Sequence, residues 1–326
     1  MTILVTGSAG HLGEALMITL RGQGRAVIGL DRRASAWTDQ VCSITDPDTV
    51  RRAMKGVTAV IHTATLHKPH VATHAMADFI DTNITGTLVL LEAARDAGVA
   101  GFVFTSTTSS FGAALTPEAG RPAAWITEDV APIPKNIYGT SKVMAESLCE
   151  LFHRRHGLSV LVLRTSRFFP EEDDDAQARA RFTTANAQAN ELLFRRLDIA
   201  DAVDAHLLAV DRAAGLGFGR YILSATTPFT EADLAALRRD APAVIRRLYP
   251  RMDALYAAQG WRMVDAIDRV YVNSAARRDL GWQPGYDFAH VLACLAEGRD
   301  FRSPLAIRVG AKGYHDQAFA EGPYPI

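Results

Sequence analysis

Short apolar runs recur along the chain at Ile3–Thr6, Arg25–Asp31, Thr58–His62, Gly101–Ser106, Leu158–Leu163 and Tyr221–Ser224, separated by stretches whose apolar residues fall at helical spacing. Such runs read as buried strands, and strands alternating with helices build a parallel sheet covered on both faces. The pattern predicts helices from His11 to about Arg21, from an Asp46-Pro47-Asp48 cap to about Lys55, from Thr73 to Ala97, and from Asn136 to His156. Gly98 and Gly157 end the last two. A long polar loop, Thr116–Pro134, intervenes, and further helical patterns cover Ala176–Leu193, Glu231–Arg238 and Pro242–Arg247. Val309–Ile326 has glycine, proline and no periodicity, as a tail would.

The first strand runs into Thr6-Gly7-Ser8-Ala9-Gly10-His11-Leu12-Gly13. Gly7 permits the tight turn, Gly10 lets backbone amides approach a pyrophosphate, and Gly13 lets the helix pack closely on the strand. Phosphates would then sit on the N-terminus of the helix that opens with His11 and Leu12, where unpaired N–H groups favour negative charge. The second strand ends at Asp31, placed to bond both ribose hydroxyls and to repel a 2′-phosphate; Arg32 and Arg33 follow and suit that phosphate instead. NAD is the expected cofactor, with NADP left open. The fold class expected is therefore α/β, a doubly wound parallel sheet of the Rossmann type.

Composition narrows the partners. A formal net charge of −1 over 326 residues, with scattered basic residues, gives no reason to expect nucleic acid or an anionic membrane surface. A hydrophobic content of 48% supports a sizeable core, yet no apolar run approaches the roughly 20 residues a bilayer requires. Cys42, Cys149 and Cys294 are odd in number and far apart, which suits reduced thiols. With the first strand starting beside Met1, a cytoplasmic protein acting on a small molecule is the expectation.

Ligands in open parallel sheets bind beyond the C-terminal strand ends. Thr63, Ala64 and Thr65 leave one such end and are candidate cofactor contacts; His67 and His70 follow as candidate substrate contacts, whereas His62 lies on the strand and reads as a core histidine. No metal site is expected from this cluster. Thr107 and Thr108 leave the Gly101 strand among further hydroxyls. Tyr138 and Lys142 are four apart on a helix and share a face.

With those residues in view, the chain resembles the extended short-chain dehydrogenase/reductase family, which holds nucleotide-sugar epimerases, dehydratases and sugar dehydrogenases. The motifs that carry the resemblance are the Thr6–Gly13 loop, Thr82-Asn83-Ile84-Thr85-Gly86-Thr87, Phe102–Thr107, and Tyr138 with Lys142, over residues 1–165. The resemblance implies that Thr107 contacts the reacting oxygen, that Tyr138 is the acid/base, that Lys142 holds the nicotinamide ribose, and that Thr82 touches cofactor. It also places Ser43 and Ile44 at the adenine and Ser166 beside the nicotinamide. A tyrosine of pKa near 10 is about 0.1% ionised at pH 7, so a working base needs its anion stabilised by up to ~4 kcal/mol. Lys142 and an oxidised nicotinamide would supply that positive charge.

Departures from the family sharpen the expectation. Ser43-Ile44 lacks the acid that often precedes the adenine-flanking residue, and Thr108-Ser109 replaces the Asp-Glu pair of sugar dehydratases, which argues against dehydration. Arg167 stands where epimerases have asparagine; it either binds a carboxylate or phosphate of the substrate or pairs with the acidic run Glu171–Asp175. Residues 166–196 and 226–308 would form a small, discontinuous C-terminal substrate lobe, with returns to the cofactor domain at about 197–225 and 264–274. The short first insertion favours a substrate without a nucleotide carrier, as in the uronate-dehydrogenase-like branch. Three functions stay open: a sugar or sugar-acid oxidoreductase, a nucleotide-sugar 4-epimerase, and a non-catalytic NAD(P)-binding regulator. Family resemblance also implies a homodimer.

Overall fold

In a computed structural model, which describes residues 1–173, 175–313 and 319, seven parallel strands form the central sheet. The strands of the chain are β1 (Thr2–Thr6), β2 (Ala26–Asp31), β3 (Gln40–Val41), β4 (Ala59–His62), β5 (Gly101–Thr107), β6 (Ala124–Ile126), β7 (Val160–Thr165), β8 (Phe218–Leu223) and β9 (Arg269–Tyr271). The sheet order is β3-β2-β1-β4-β5-β7-β8, so the winding reverses between β1 and β4 and leaves a crevice at their C-terminal ends. Helices α1 (His11–Gly22), α2 (Pro47–Ala53), α3 (Met76–Phe79), α4 (Gly86–Asp96), α5 (Ile137–His156), α6 (Ala176–Arg181), α7 (Thr184–Glu191) and α8 (Ile199–Leu216) follow. Successive residues of the central strands point to opposite faces. Ile3, Val5, Ile61, Val103 and Leu161 join one core with α1 and α8, while Leu4, Val60, Phe102, Phe104 and Val160 join another with α2, α4 and α5. Both faces are covered, which is why these strands read as unbroken apolar runs.

The expected C-terminal lobe has its own core, built on α7, α9 (Leu234–Leu248), α10 (Met252–Gln259) and α12 (Phe288–Ala296), whereas α11 (Ser274–Leu280) packs on α8 and β8 and α13 (Pro304–Val309) lies back on α1 and α8. Asp201 of α8 fastens the passage between α11 and α12, accepting from Gly285 N at 2.8 Å and Tyr286 N at 3.0 Å. The loop expected at Thr116–Pro134 contains β6, which pairs in parallel with β9 as a separate two-stranded sheet; three-residue strands give too little pattern to be seen in sequence. The two helices expected at 231–238 and 242–247 become a 3-10 turn at Glu231–Asp233 and a single helix, α9, kinked at Asp240 ahead of Pro242, whose ring and missing N–H break the ladder. The stretch Ala176–Leu193 divides into α6 and α7 because Phe182 is extended and Thr183 caps α7. Of the tail expected at Val309–Ile326, residues 314–318 and 320–326 lie outside the described residues. Among the described residues no helix is long and apolar enough to cross a membrane.

The helix expected from Thr73 to Ala97 is the main correction. A 3-10 turn occupies Lys68–Ala72, helix begins only at Met76, and a π turn at Ile80–Thr85 separates α3 from α4. The wider turn accompanies an inward Asn83, which is buried. Its side-chain amide donates to Leu66 O at 3.0 Å and to Ser141 Oγ at 2.9 Å, while its oxygen accepts from Leu66 N at 2.8 Å and Thr65 Oγ1 at 2.9 Å. One side chain thus ties the loop after β4 to α5. Asn83→Ala leaves the Leu66 amide unpaired and is expected to lower unfolding free energy by about 2–4 kcal/mol in a denaturant titration.

Candidate active site

At the crevice between β1 and β4 lies a cleft of about 1020 Å³. Its floor is the β1–α1 turn. Gly7 has φ 74°, and a Cβ there would come within 2.7 Å of Ala64 N; a Cβ on Gly13 would lie 1.9 Å from Gly7 O. The turn therefore exists only without those side chains, and it brings backbone amides to the surface of the cleft at the N-terminus of α1. Asp31 closes one side, its carboxylate accepting from Ala9 N at 3.0 Å and Arg33 N at 2.8 Å. Ile44 packs over Gly86 of α4, where a Cβ would meet its Cδ1 at 2.5 Å, and Ser43 bonds Thr45. Of the residues expected to hold cofactor, Gly7, Gly10, His11, Leu12, Gly13, Asp31, Arg32, Ser43, Ile44, Thr63, Ala64, Thr65, Thr82, Tyr138 and Ser166 line this cleft, whereas Lys142 is buried behind it and does not. The buried Ser166 hydroxyl has no hydrogen-bond partner among the described residues, and Ser166 lines the same space. A glycine cradle, a strand-end carboxylate and an orphaned hydroxyl fit a bound dinucleotide.

Behind the floor, Thr6 Oγ1 and His62 Nδ1 are 2.8 Å apart, and His62 Nε2 is 3.0 Å from Thr87 Oγ1. Because Thr87 spends its proton on Asn83 O at 2.7 Å, it must accept from His62 Nε2–H, and Nδ1 must accept from Thr6. Burial, reinforced by Lys142, holds the His62 imidazole well below its ordinary value, as this neutral tautomer requires.

Tyr138 opens α5, whose N-cap Asn136 accepts from Gly139 N at 3.0 Å. The tyrosine lines the cleft, as does Thr107, whose Oγ1 accepts from Ser109 N at 3.1 Å. Burial pushes the Tyr138 phenol up to about 12, only partly opposed by Thr107. Lys142 sits one turn deeper, 3% exposed, its ammonium 4.1 Å from the Phe104 ring centroid. Burial pulls it down to about 7, with Glu146 and Cys149 pulling it up. In the resting site the tyrosine therefore keeps its proton, and Lys142 alone does not produce the anion anticipated from the sequence.

The other end of the cleft carries most of the charge. Of the residues expected to meet substrate, His67, Thr108 and Arg167 all line it. His67 stacks toward Tyr138 at 6.4 Å and meets Phe169 edge-on at 5.5 Å, and burial with help from His70 lowers it to about 3, so it stays neutral. Arg167 bonds Asp173 Oδ2 at 2.9 Å and Glu172 O at 2.9 Å, so the pairing with the acidic run is the one present. Asp174 of that run lies outside the described residues.

Several residues of the site went unread in the sequence. Glu191 receives Arg195 and Arg196 at 2.8 Å each; burial raises its carboxyl, and the guanidiniums of Arg195, Arg196 and Arg167 outweigh that and hold it at about 2. Arg195, Arg269, Tyr271 and Lys135 also line this end. Glu146, beneath Lys142, accepts from Ser106 Oγ at 2.5 Å and pairs with Arg164 at 2.8 Å, both partners almost fully buried. The signal for Glu146 was present, since 138, 142 and 146 form one i, i+4 stripe on α5. The partners on other elements had no local signal.

The comparisons with known proteins agree with this geometry. A model of the NAD dependent epimerase/dehydratase family matches residues 3–222. The chain is 32% identical over 196 residues, 54% of its length and 73% of the relative's, to an NAD-dependent glucose-6-phosphate dehydrogenase of Haloferax volcanii. It is 29% identical over 325 residues, 90% of each, to a dTDP-glucose 4,6-dehydratase of Streptomyces antibioticus. Among solved structures, a short-chain dehydrogenase/reductase superfamily protein from Agrobacterium tumefaciens with bound NAD superposes with a TM-score of 0.65 and 26% identity, covering 91% of this chain and 96% of that one.

Lys142 is a buried cation whose folded-state value lies below its unfolded one, so the unfolded chain holds the proton more tightly. Its cost to stability is full below about pH 7 and fades as pH rises toward 10.5. Lys142→Met is expected to abolish turnover and to raise Tm by about 2–5 °C at pH 6, with a smaller gain at pH 9, in calorimetric scans.

Proposed function

The chain belongs to the NAD-dependent epimerase/dehydratase family, and we propose that within it the protein is an NAD-dependent dehydrogenase of a small sugar derivative bearing an anionic group, a sugar acid or sugar phosphate without a nucleotide carrier. The observation that carries this reading is charge: Lys135, Arg167, Arg195 and Arg269 line the substrate end against Asp173 and Glu191, an excess of two positive charges in a half-enclosed cleft. Low-dielectric walls strengthen the pull on an anion. Thr108 and Ser109, which carry no carboxylate, supply no acid for eliminating water, so oxidation without dehydration is the reaction that the remaining groups support.

When bound, oxidised nicotinamide supplies the hydride acceptor and a positive charge beside Tyr138. Once its own phenolic proton has passed to solvent or to Lys142, Tyr138 receives the proton of the substrate hydroxyl at its phenolic oxygen, while Thr107, whose own oxygen is fixed by the Ser109 amide, orients that hydroxyl. Lys142, near neutrality in its titration, lies behind the phenol as the next group able to hold the proton. His67 and Phe169 form the wall over Tyr138 and exclude water from it. Asp31 favours NAD by occupying the ribose position with a carboxylate.

In a screen of neutral sugars, sugar acids, sugar phosphates and nucleotide sugars, NADH is expected to accumulate with an anionic free sugar. A nucleotide sugar converted with no net absorbance change would instead identify a 4-epimerase. Tyr138→Phe is expected to lower kcat by about 10³-fold or more while changing NAD affinity by less than about threefold; binding without any turnover in the wild type would favour a regulator.

A homodimer is part of the same proposal. Met144 and Leu151, seven apart on α5, are 48% and 38% exposed, and Met76 and Ile80 on the neighbouring helix are 70% and 48% exposed. An apolar face of this kind suits a second copy. Light scattering at micromolar concentration is expected to give twice the chain mass, and Met144→Glu with Leu151→Glu to give the single mass.

A further inference from the structure

We propose that Lys312 is a binding residue for the pyrophosphate of the dinucleotide, carried across the phosphate end of the cleft by residues 310–313. The proposal rests on the NAD reading and adds to it a residue about 300 positions from the glycine turn. After α13, which packs on α1 and α8, Gly310 turns with φ 60° and the chain passes over the start of α1. The Lys312 backbone N–H donates to Glu171 Oε1 at 3.2 Å, and its ammonium pairs with Glu14 in the first turn of α1. Lys312 and Gly313 line the same cleft as Gly7, Gly10 and Gly13.

Charge balance at that end gives the segment its role. A pyrophosphate brings about two negative charges to a helix terminus that offers about half a positive charge. The loop's own ionisable side chain does not help: His11 is 7% exposed, stacked at 5.4 Å on Phe169, and lowered to about 4, first by burial and then by Lys312 and Arg196. Among the described residues neither ring nitrogen completes a hydrogen bond, and the neutral imidazole brings no charge to the phosphates. Glu14, one turn into the helix, works against an anionic ligand. In the unliganded cleft Lys312 cancels Glu14, and on this proposal its ammonium turns from that carboxylate to the phosphates when they arrive. Its side chain is 31% exposed and that of Glu14 15%, so the pair is only partly screened by solvent.

Calorimetric titration of the full chain tests this with three probes: NAD, ADP-ribose, which keeps the pyrophosphate, and adenosine, which lacks it. Lys312→Ala is expected to raise the Kd of NAD and of ADP-ribose about 5- to 20-fold and to leave adenosine within about twofold, with the difference shrinking at high salt. Lys312→Arg should restore most of the affinity, and Glu14→Gln should bind ADP-ribose at least as tightly as the wild type. Equal Kd values for wild type and Lys312→Ala overturn the proposal. So does an equal loss for adenosine and ADP-ribose, or a lowered Tm of the unliganded variant with unchanged ADP-ribose affinity, either of which makes 310–313 a structural strap. A wild type that binds neither NAD nor ADP-ribose would overturn the cofactor reading beneath it.

Discussion

The buried pair of Glu146 and Arg164 sets the position of helix α5. Removing either partner from a buried ion pair costs about 3–5 kcal/mol, because the survivor is left charged and unpaired. Arg164 is fixed by the register of β7 against β5 and β8, and Ser106 on β5 meets the same carboxylate. Helix α5 can therefore settle on the sheet in one axial position, the one that puts Glu146 over Arg164 and Ser106. Lys142 and Tyr138 stand one and two turns up the same stripe, so their depth in the cleft follows from a contact that touches no ligand.

What was legible in the sequence was local. The Gly7–Gly13 turn announces itself because its glycines are required by contacts within a few residues, and Asn136, Gly157 and the Asp46-Pro47 cap mark helix ends by the same kind of short-range chemistry. The Tyr138–Lys142 pair is visible as a spacing. What was hidden depends on partners far along the chain: β6 becomes a strand only because β9 reaches it, and the Glu191 cluster needs Arg195 and Arg196 packed under Phe169. Arg167 was readable as a charge at the right strand end, but its partner Asp173 depended on how the acidic run folds back.

Histidine is a further case in which burial overrides residue type. In sequence His62 reads as a core histidine and His67 and His70 as substrate contacts. In the fold, His62 is a neutral bridge between two threonines and His67 a neutral wall over the tyrosine. Among the described residues no group of three or more His, Cys, Asp or Glu side chains is disposed to hold a metal. The charge of the substrate end of the cleft is carried instead by Lys135, Arg167, Arg195 and Arg269.

The π turn at Ile80–Thr85 joins two halves of one helix. Ahead of it, Phe79 is packed with Leu66 and Tyr138 in the small cluster beneath the active site; after it, Leu90, Leu91 and Ala94 face the main core under the sheet. A π turn holds about one residue more than an α turn, so deleting a single residue of this segment would restore a regular α-helix with both hydrophobic surfaces still in phase. What would go is the inward placement of Asn83, whose amide joins the loop after β4 to α5. The extra residue therefore serves the wall of the cleft, and neither core depends on it.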